Sequence, residues 1–425
     1  MPRTVRTVAV VGGGWAGLAA AVEATRLGHQ VTLFDMAPQP GGRAREVRAG
    51  DLMLDNGQHI LIGAYTETLR LMRTVGVDLD AALLRMPLCI VYPDGAGLQL
   101  GRGPAALAFA GAVLRQRHWR WPERLALLRA AGAWSLGGFR CPAQLTVSEL
   151  TARLPARVRD ELIDPLCVAA LNTPAAEASA SVFLRVLKDA LFSGAGSADL
   201  LLPRASLSEL FPTPAMRWLA AAGALVRCAH RVQRLEADGE RWRVDGAAFD
   251  RVVLAASPME AARLVQPVSP SWSSLAAALR YEPIVTVYLQ SDGCRLPAAM
   301  MALHSDVSSP AQFVFDRGQL GGPAGLLAFV VSGAQAWVER GQEATAQAAI
   351  AQALGCLGPW LRGTLQMKLA ITEKRATFRC TPGLIRPPAD IAAGLRAAGD
   401  HIAGPYPATL EGAVRSGVAA AQALQ

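Results

Sequence analysis

A glycine turn between two apolar strands constrains this chain more than any other feature. Thr7–Val11 is a short apolar run, and it leads into Gly12-Gly13-Gly14-Trp15-Ala16-Gly17. A helical stretch, Leu18–Leu27, follows and is stopped by Gly28; a second strand, Gln30–Phe34, ends on Asp35. A GxGxxG turn in the order strand, turn, helix, strand and acid predicts a βαβ unit that binds a dinucleotide. Gly12 permits the tight turn, Gly14 lets the backbone approach a pyrophosphate, and Gly17 lets the helix close on the strand. Trp15 and Ala16 complete the turn ahead of the helix, whose unpaired N–H groups and positive dipole end face the phosphates. Asp35 is then placed to accept hydrogen bonds from an adenosine ribose. The competing reading is a glycine-rich turn in some other α/β fold.

The rest of the chain must complete that unit. Its 425 residues exceed one ordinary core and suit two domains. With 52% hydrophobic and 18% charged residues it is neither disordered nor a coiled coil. The net charge of +8 is almost all arginine, since only Lys188, Lys368 and Lys374 are lysines. Scattered arginine without a recognition motif argues against a nucleic-acid partner, and leaves open a basic surface facing an anionic membrane. Seven dispersed cysteines with no CxxC pair describe neither a disulfide framework nor a metal site. They read as reduced thiols in a cytoplasmic setting. The apolar start at Val8 runs straight into the glycine turn, unlike a signal peptide.

Asp35 is soon followed by Pro40-Gly41-Gly42-Arg43, and then by Asp55-Asn56-Gly57-Gln58-His59. This arrangement resembles the glutathione-reductase-like flavoproteins, a group that includes amine oxidases and phytoene desaturases. The resemblance implies FAD as cofactor, with Gly42 and Arg43 at its pyrophosphate. It also implies that the C-terminus closes the site. There, Asp400 would bind the ribityl chain, and a helix from Thr409 and Leu410 would point its N–H groups at the flavin pyrimidine. A helix N-terminus suits the negative charge of a reduced flavin. For Glu411 and Arg415 a flavin contact and a simple ion pair are equally open. Between the two ends, 223–226, 232–236, 242–244 and 251–255 read as strands, with hairpin turns at Asp238-Gly239 and Asp245-Gly246. By resemblance, Val232 lays its backbone against adenine.

The expected fold class is therefore α/β: a glutathione-reductase-like FAD-binding Rossmann domain with an interleaved α+β substrate domain. The cofactor domain would take residues 1–80, 205–265 and 370–425, and the substrate domain 81–204 and 266–369. The stretches Asp55–Tyr65, Asp164–Thr173, Glu373–Phe378 and Pro407–Gly417 resemble, more narrowly, the hydroxysqualene dehydroxylase family, a squalene-associated branch of the phytoene-desaturase-like group. One departure is the loop after Asp400, where His401 and Gly404-Pro405-Tyr406 replace an expected tryptophan and Thr-Gly pair.

That resemblance implies reductive removal of a hydroxyl from hydroxysqualene, in squalene and hopanoid biosynthesis. The substrate is a hydrophobic polyisoprenoid, and an external electron donor must reload the flavin. A proton is needed for the departing hydroxyl, and His59, Tyr65, Asp164 and Tyr406 are the candidates. Cys167 and Asn172 are candidate pocket residues. The charge-free run Gly103–Leu114 and the basic-aromatic run Arg115–Trp121 predict a helix over 103–121. The twelve charge-free residues would rise only about 18 Å, too short to span a bilayer, so the segment is either a peripheral membrane contact on the inner face or a buried helix. Polyene desaturation, amine oxidation and a non-catalytic isoprenoid-escort role are the competing functions.

Overall fold

The computed structural model describes residues 5–424. Strand Thr7–Val11 pairs in parallel with Gln30–Phe34, and the helix between them spans Trp15–Arg26. That helix begins earlier than its apolar pattern because Gly14 is its N-cap. A six-stranded sheet extends the pair in the order Leu225–Arg227, Gln30–Phe34, Thr7–Val11, Arg251–Leu254, Leu395–Ala397, Asp390–Ala392. All its pairings are parallel except the last. The unbroken apolar runs Val8–Val11 and Val252–Leu254 are buried, as parallel strands covered on both faces require. Residues from three remote parts of the chain thus share one sheet.

The C-terminal helix, Leu410–Gln422, packs on Trp15–Arg26. Gly417 sets their approach, because a Cβ there would lie 2.1 Å from the carbonyl oxygen of Ala16. A smaller antiparallel sheet holds Leu235–Asp238, Arg241–Val244 and Ala247–Phe249. Asp245 and Gly246 turn its second hairpin with φ of 47° and 84°, the consecutive positive values of a type I′ turn. Val232, expected within a strand, is buried in the connection before Leu235.

The remaining large sheet is antiparallel, in the order Met300–Ala302, Phe313–Asp316, Leu326–Val331, Tyr281–Gln290, Gln366–Phe378. Alternation along Tyr281–Gln290 sends Val285, Val287 and Leu289 into a core beneath helix Gln342–Leu357, and Tyr288 and Ile284 towards the larger second core. Strand Gln366–Phe378 runs through position 370 and stays paired with this sheet to Phe378. We therefore propose that the chain returns to the cofactor unit after Phe378 rather than at 370.

The single helix expected over 103–121 is instead two helices, Ala105–Arg115 and Trp121–Leu136, joined by a tight turn. The turn is fixed by polar bonds that an apolar pattern does not reveal. Arg124 donates to the carbonyls of Leu114 at 2.9 Å and Trp119 at 3.0 Å, and the buried Trp119 indole donates to Glu161 at 2.7 Å. Among the described residues, no helix is long and apolar enough to cross a membrane, and no group of three or more His, Cys, Asp or Glu gathers as a metal site.

Candidate functional site

The glycines of the first turn divide into two kinds. A Cβ on Gly12 would lie 2.5 Å from the carbonyl oxygen of Ala255, and one on Gly17 only 1.8 Å from that of Gly12. Both are required by the protein's own packing. A Cβ on Gly14 would instead meet nothing nearer than the Cα of Gly42, at 3.9 Å. Gly14 has extended backbone angles that any residue adopts, and it caps its helix without a side-chain hydrogen bond. Its bareness serves no packing need, so the turn leaves open space above Gly14. The Trp15 indole donates to the Ala44 carbonyl at 3.0 Å and packs at a tilt against Phe211, and Ala16 is buried beside Gly417. Their side chains face the core, so they offer a phosphate their backbone N–H groups alone.

Asp35 is buried at the end of its strand. Its Oδ2 accepts from the Gly13 N–H at 2.5 Å and its Oδ1 from Ala37 at 2.6 Å. Burial pushes its pKa up despite these bonds. The Val232 carbonyl accepts from Arg263 at 2.7 Å.

The two ends of the chain meet at Arg43 and Asp400. The guanidinium of Arg43 donates to Asp400 Oδ2 at 2.7 Å, and its other amino group to the carbonyls of Ala376 at 2.7 Å and Arg375 at 3.1 Å. Burial opposes ionisation of Asp400, but Arg43 and His401 outweigh it and hold the carboxyl well below the usual carboxylate range. Asn56 ties this pair to its surroundings, donating to the Arg43 carbonyl at 3.0 Å and to Glu373 at 3.2 Å. Arg386 holds the following loop through the carbonyls of Asp400 and Tyr406.

Two buried polar atoms here have no protein partner among the described residues: the Tyr281 hydroxyl and Nε2 of His401. Burial pushes the Tyr281 phenol up to about 12, and Arg43 and Asp400 both act on it electrostatically. Unpaired buried polar groups are costly in a finished protein. Together with the clear face of Gly14, they fit a chain built to hold a polar dinucleotide from Gly14 to Asp400.

His59 Nδ1 lies 2.9 Å from the carbonyl of Gly57. The ring must donate there, leaving Nε2 as an acceptor. Burial is the main cause that lowers its pKa, and Arg43 adds to it. The imidazole is therefore neutral, with no proton on Nε2 to give. Burial raises the Tyr65 phenol above its ordinary value, and its hydroxyl bonds Thr409. Thr409 in turn caps the C-terminal helix, accepting from the Gly412 N–H at 3.1 Å, and Leu410 opens that helix.

Glu411 turns away from such a role. Its buried carboxylate caps helix Thr66–Thr74 from outside, accepting from the N–H groups of Glu67 and Thr68 and from Arg415 at 2.7 Å. Tyr406 lies between two arginines, with Arg185 donating to its hydroxyl at 3.0 Å and Arg415 over its ring. Asp164 stands apart from these groups. It opens helix Asp164–Leu171 directly after a single π-helical turn, Arg159–Ile163, and burial and Asp160 raise its pKa.

Cys167 and Asn172, read as pocket candidates, are fully engaged in the fold. Cys167 is completely buried. Asn172 adopts a left-handed conformation, donates to Glu282 and Thr377, and accepts from Gly333 at 2.7 Å. It ties the helix end to two strands and a loop. Asn172→Ala is expected to cost about 3 kcal/mol, the sum of stranded buried groups and a left-handed residue without its side-chain bonds. Urea unfolding checks this, and a loss below about 1 kcal/mol would contradict the staple.

Sequence reasoning missed Tyr281, Asn56 and Glu373 as members of the cluster. Asn56 and Glu373 stood in motifs already noticed, whereas Tyr281 merely begins a strand and carries no local signal. Ile284, opposite Glu373 in the strand register, is only partly buried against the larger core, as are Ile60, Leu369, Ile371 and Ala408.

A sequence model of the flavin containing amine oxidoreductase family matches residues 15–425. The chain is similar to the hydroxysqualene dehydroxylase of Rhodopseudomonas palustris, 29% identical over 98% of this chain and 97% of that protein. It is similar also to the hydroxysqualene dehydroxylase of Sinorhizobium fredii, 27% identical over 99% and 98%. Among solved structures, an oxidoreductase from Methanosarcina mazei shares the fold with a TM-score of 0.74 at 14% identity, covering 98% of this chain and 100% of that one.

Proposed function

The chain belongs to the flavin-containing amine oxidoreductase family, and from that premise we propose that it converts hydroxysqualene to squalene using reduced FAD. The observation that carries this reading is the end-to-end similarity to hydroxysqualene dehydroxylases, with 97% or more of both chains aligned. The balance is hydroxysqualene and reduced FAD giving squalene, water and oxidised FAD. Reduced FAD, when bound, supplies the hydride that replaces the hydroxyl.

The protein's part is to bind, orient and exclude water. The Gly14 turn and the open end of helix Trp15–Arg26 would hold the pyrophosphate, Asp35 the adenosine ribose, and Asp400 the ribityl chain. The N-terminus of Leu410–Gln422 would favour negative charge on the flavin ring. Partly buried apolar residues such as Ile60, Ile284 and Ala408 would keep the reacting carbon dry as the hydroxyl departs as water. Loss of hydroxide from an allylic carbon requires a proton at that oxygen. Among the four candidates His59 has the wrong protonation state, and Tyr65 is held by Thr409. Tyr406, whose hydroxyl accepts a hydrogen bond from Arg185, and Asp164, whose carboxyl burial holds protonated to higher pH than usual, remain. We further propose an external electron donor for the flavin and peripheral contact with a membrane in a cytoplasmic setting.

Anaerobic incubation of photoreduced, FAD-loaded protein with hydroxysqualene should give squalene in step with flavin oxidation. A chain that binds hydroxysqualene but leaves its flavin reduced would overturn the reading. New conjugated double bonds formed by oxidised protein would instead identify a polyene desaturase.

A further inference from the structure

We propose that the hairpin formed by helices Ala105–Arg115 and Trp121–Leu136 is a docking face for an anionic lipid bilayer. It gives a surface to the membrane contact proposed above, and rests on that reading only for what the bilayer would deliver.

The first observation is the poor burial of an apolar helix. Trp121–Leu136 is rich in Leu, Ala and Trp, yet Leu127 is the one residue of its sixteen that is buried. Trp121 is 60% exposed and Leu136 is 93% exposed, with Leu125 also exposed between them. At about 100° per residue, positions 121, 125 and 136 fall within roughly 60° of one another, on a single stripe. Leu107 and Leu114 are likewise exposed and seven residues apart, two turns along one face of the first helix. Phe192 extends the patch, exposed and set 5.0 Å from the ring of Phe139, just beyond the end of the second helix.

The second observation is charge. Residues 102–140 hold seven arginines and one acid, a surplus of six within a chain whose total net charge is +8. The one acid, Glu123, is engaged in the cap of its own helix, accepting from the Arg120 N–H at 2.6 Å. Arg117, Arg129 and Arg140 are exposed. An apolar stripe bordered by arginine complements an anionic membrane, where leucine and tryptophan enter the headgroup boundary and guanidinium groups meet phosphates. The same charge opposes a second copy of this chain, which would set one positive face against another.

The face is also rigid enough to act as a unit. Arg124 joins the two helices through the carbonyls of Leu114 and Trp119, and its guanidinium lies 4.7 Å from the Trp121 ring. Helix Ala105–Arg115 packs in turn on helix Ala180–Phe192, which carries Arg185. That arginine touches Tyr406 beside the C-terminal helix, so the docking face and the cofactor end are joined by one helix.

The test uses full-length, FAD-loaded protein in flotation with two kinds of vesicle, phosphatidylcholine alone and an equal mixture with phosphatidylglycerol. Binding should be at least tenfold stronger to the mixture and should weaken with salt. Combined Trp121→Ser, Leu125→Ser and Leu136→Ser should reduce binding at least tenfold. Arg117→Gln with Arg129→Gln and Arg140→Gln should remove the preference for phosphatidylglycerol. Flavin content, unchanged in both variants, reports that the fold is kept. Parent protein that fails to float with the mixed vesicles would overturn the proposal, as would variants that float like the parent. So would a dimer, seen by light scattering, that the apolar variant dissociates. None of these readouts depends on turnover, so a failed docking face is distinguishable from a misread substrate.

Discussion

Gly14→Ala is expected to yield a folded chain that no longer retains flavin. The backbone at Gly14 is extended and its added Cβ would lie 3.9 Å from the nearest protein atom, an ordinary contact. Stability of the flavin-free protein should therefore stay within about 0.5 kcal/mol of the parent. The methyl group would stand where the turn must approach a pyrophosphate, so affinity should fall at least ~100-fold, about 2.7 kcal/mol. Gly17→Ala makes the contrast, since its Cβ would lie 1.8 Å from the Gly12 carbonyl and should prevent folding. The checks are flavin absorbance after desalting and thermal unfolding of the flavin-free chain. Full flavin content in Gly14→Ala would mean that the phosphate lies elsewhere.

The second large effect is expected from Arg43→Met. It removes the partner of a carboxylate that is 9% exposed, while the guanidinium itself is 39% exposed. Breaking a buried pair costs about 3–5 kcal/mol, and solvent at Arg43 reduces this to about 2–3 kcal/mol at pH 7. The pH dependence has a definite sign. In the parent, Asp400 is depressed below its unfolded value of about 3.9, so its contribution is present above that pH and is lost as pH falls through the lower folded value. Without Arg43, burial dominates and the folded pKa rises above about 3.9. The deficit should then be largest at neutral pH and shrink towards pH 4.5, where the carboxyl takes a proton. His401, Glu373 and Tyr281 also face this pair and remain in both proteins. Arg43→Met with Asp400→Asn should recover most of the lost stability at pH 7. Urea unfolding of flavin-free protein at both pH values checks this, and an equal deficit at the two would refute a stranded charge.

The second effect depends on residues 357 positions apart forming one ion pair. The pair is closed around groups that the protein leaves unsatisfied, and this connects the fold to cofactor binding. Burial, with a smaller contribution from Arg43, disfavours the protonated form of His59.

Local sequence determined the first βαβ unit, the Asp245-Gly246 hairpin and the Thr409 cap, because each is written in adjacent residues whose backbone preferences agree. It also announced the glycines, but not which of them serve packing and which keep a surface clear. Tertiary structure alone decided that, since the distinction lies in what stands opposite each Cα: the Ala255 and Gly12 carbonyls at Gly12 and Gly17, and nearly open space at Gly14. It likewise brought Tyr281 to the Arg43–Asp400 pair, turned Glu411 into a cap for another helix, and split 103–121 at a turn fixed by Arg124. Those outcomes rest on hydrogen bonds and charges between remote segments, for which neither periodicity nor motif spacing carries a record.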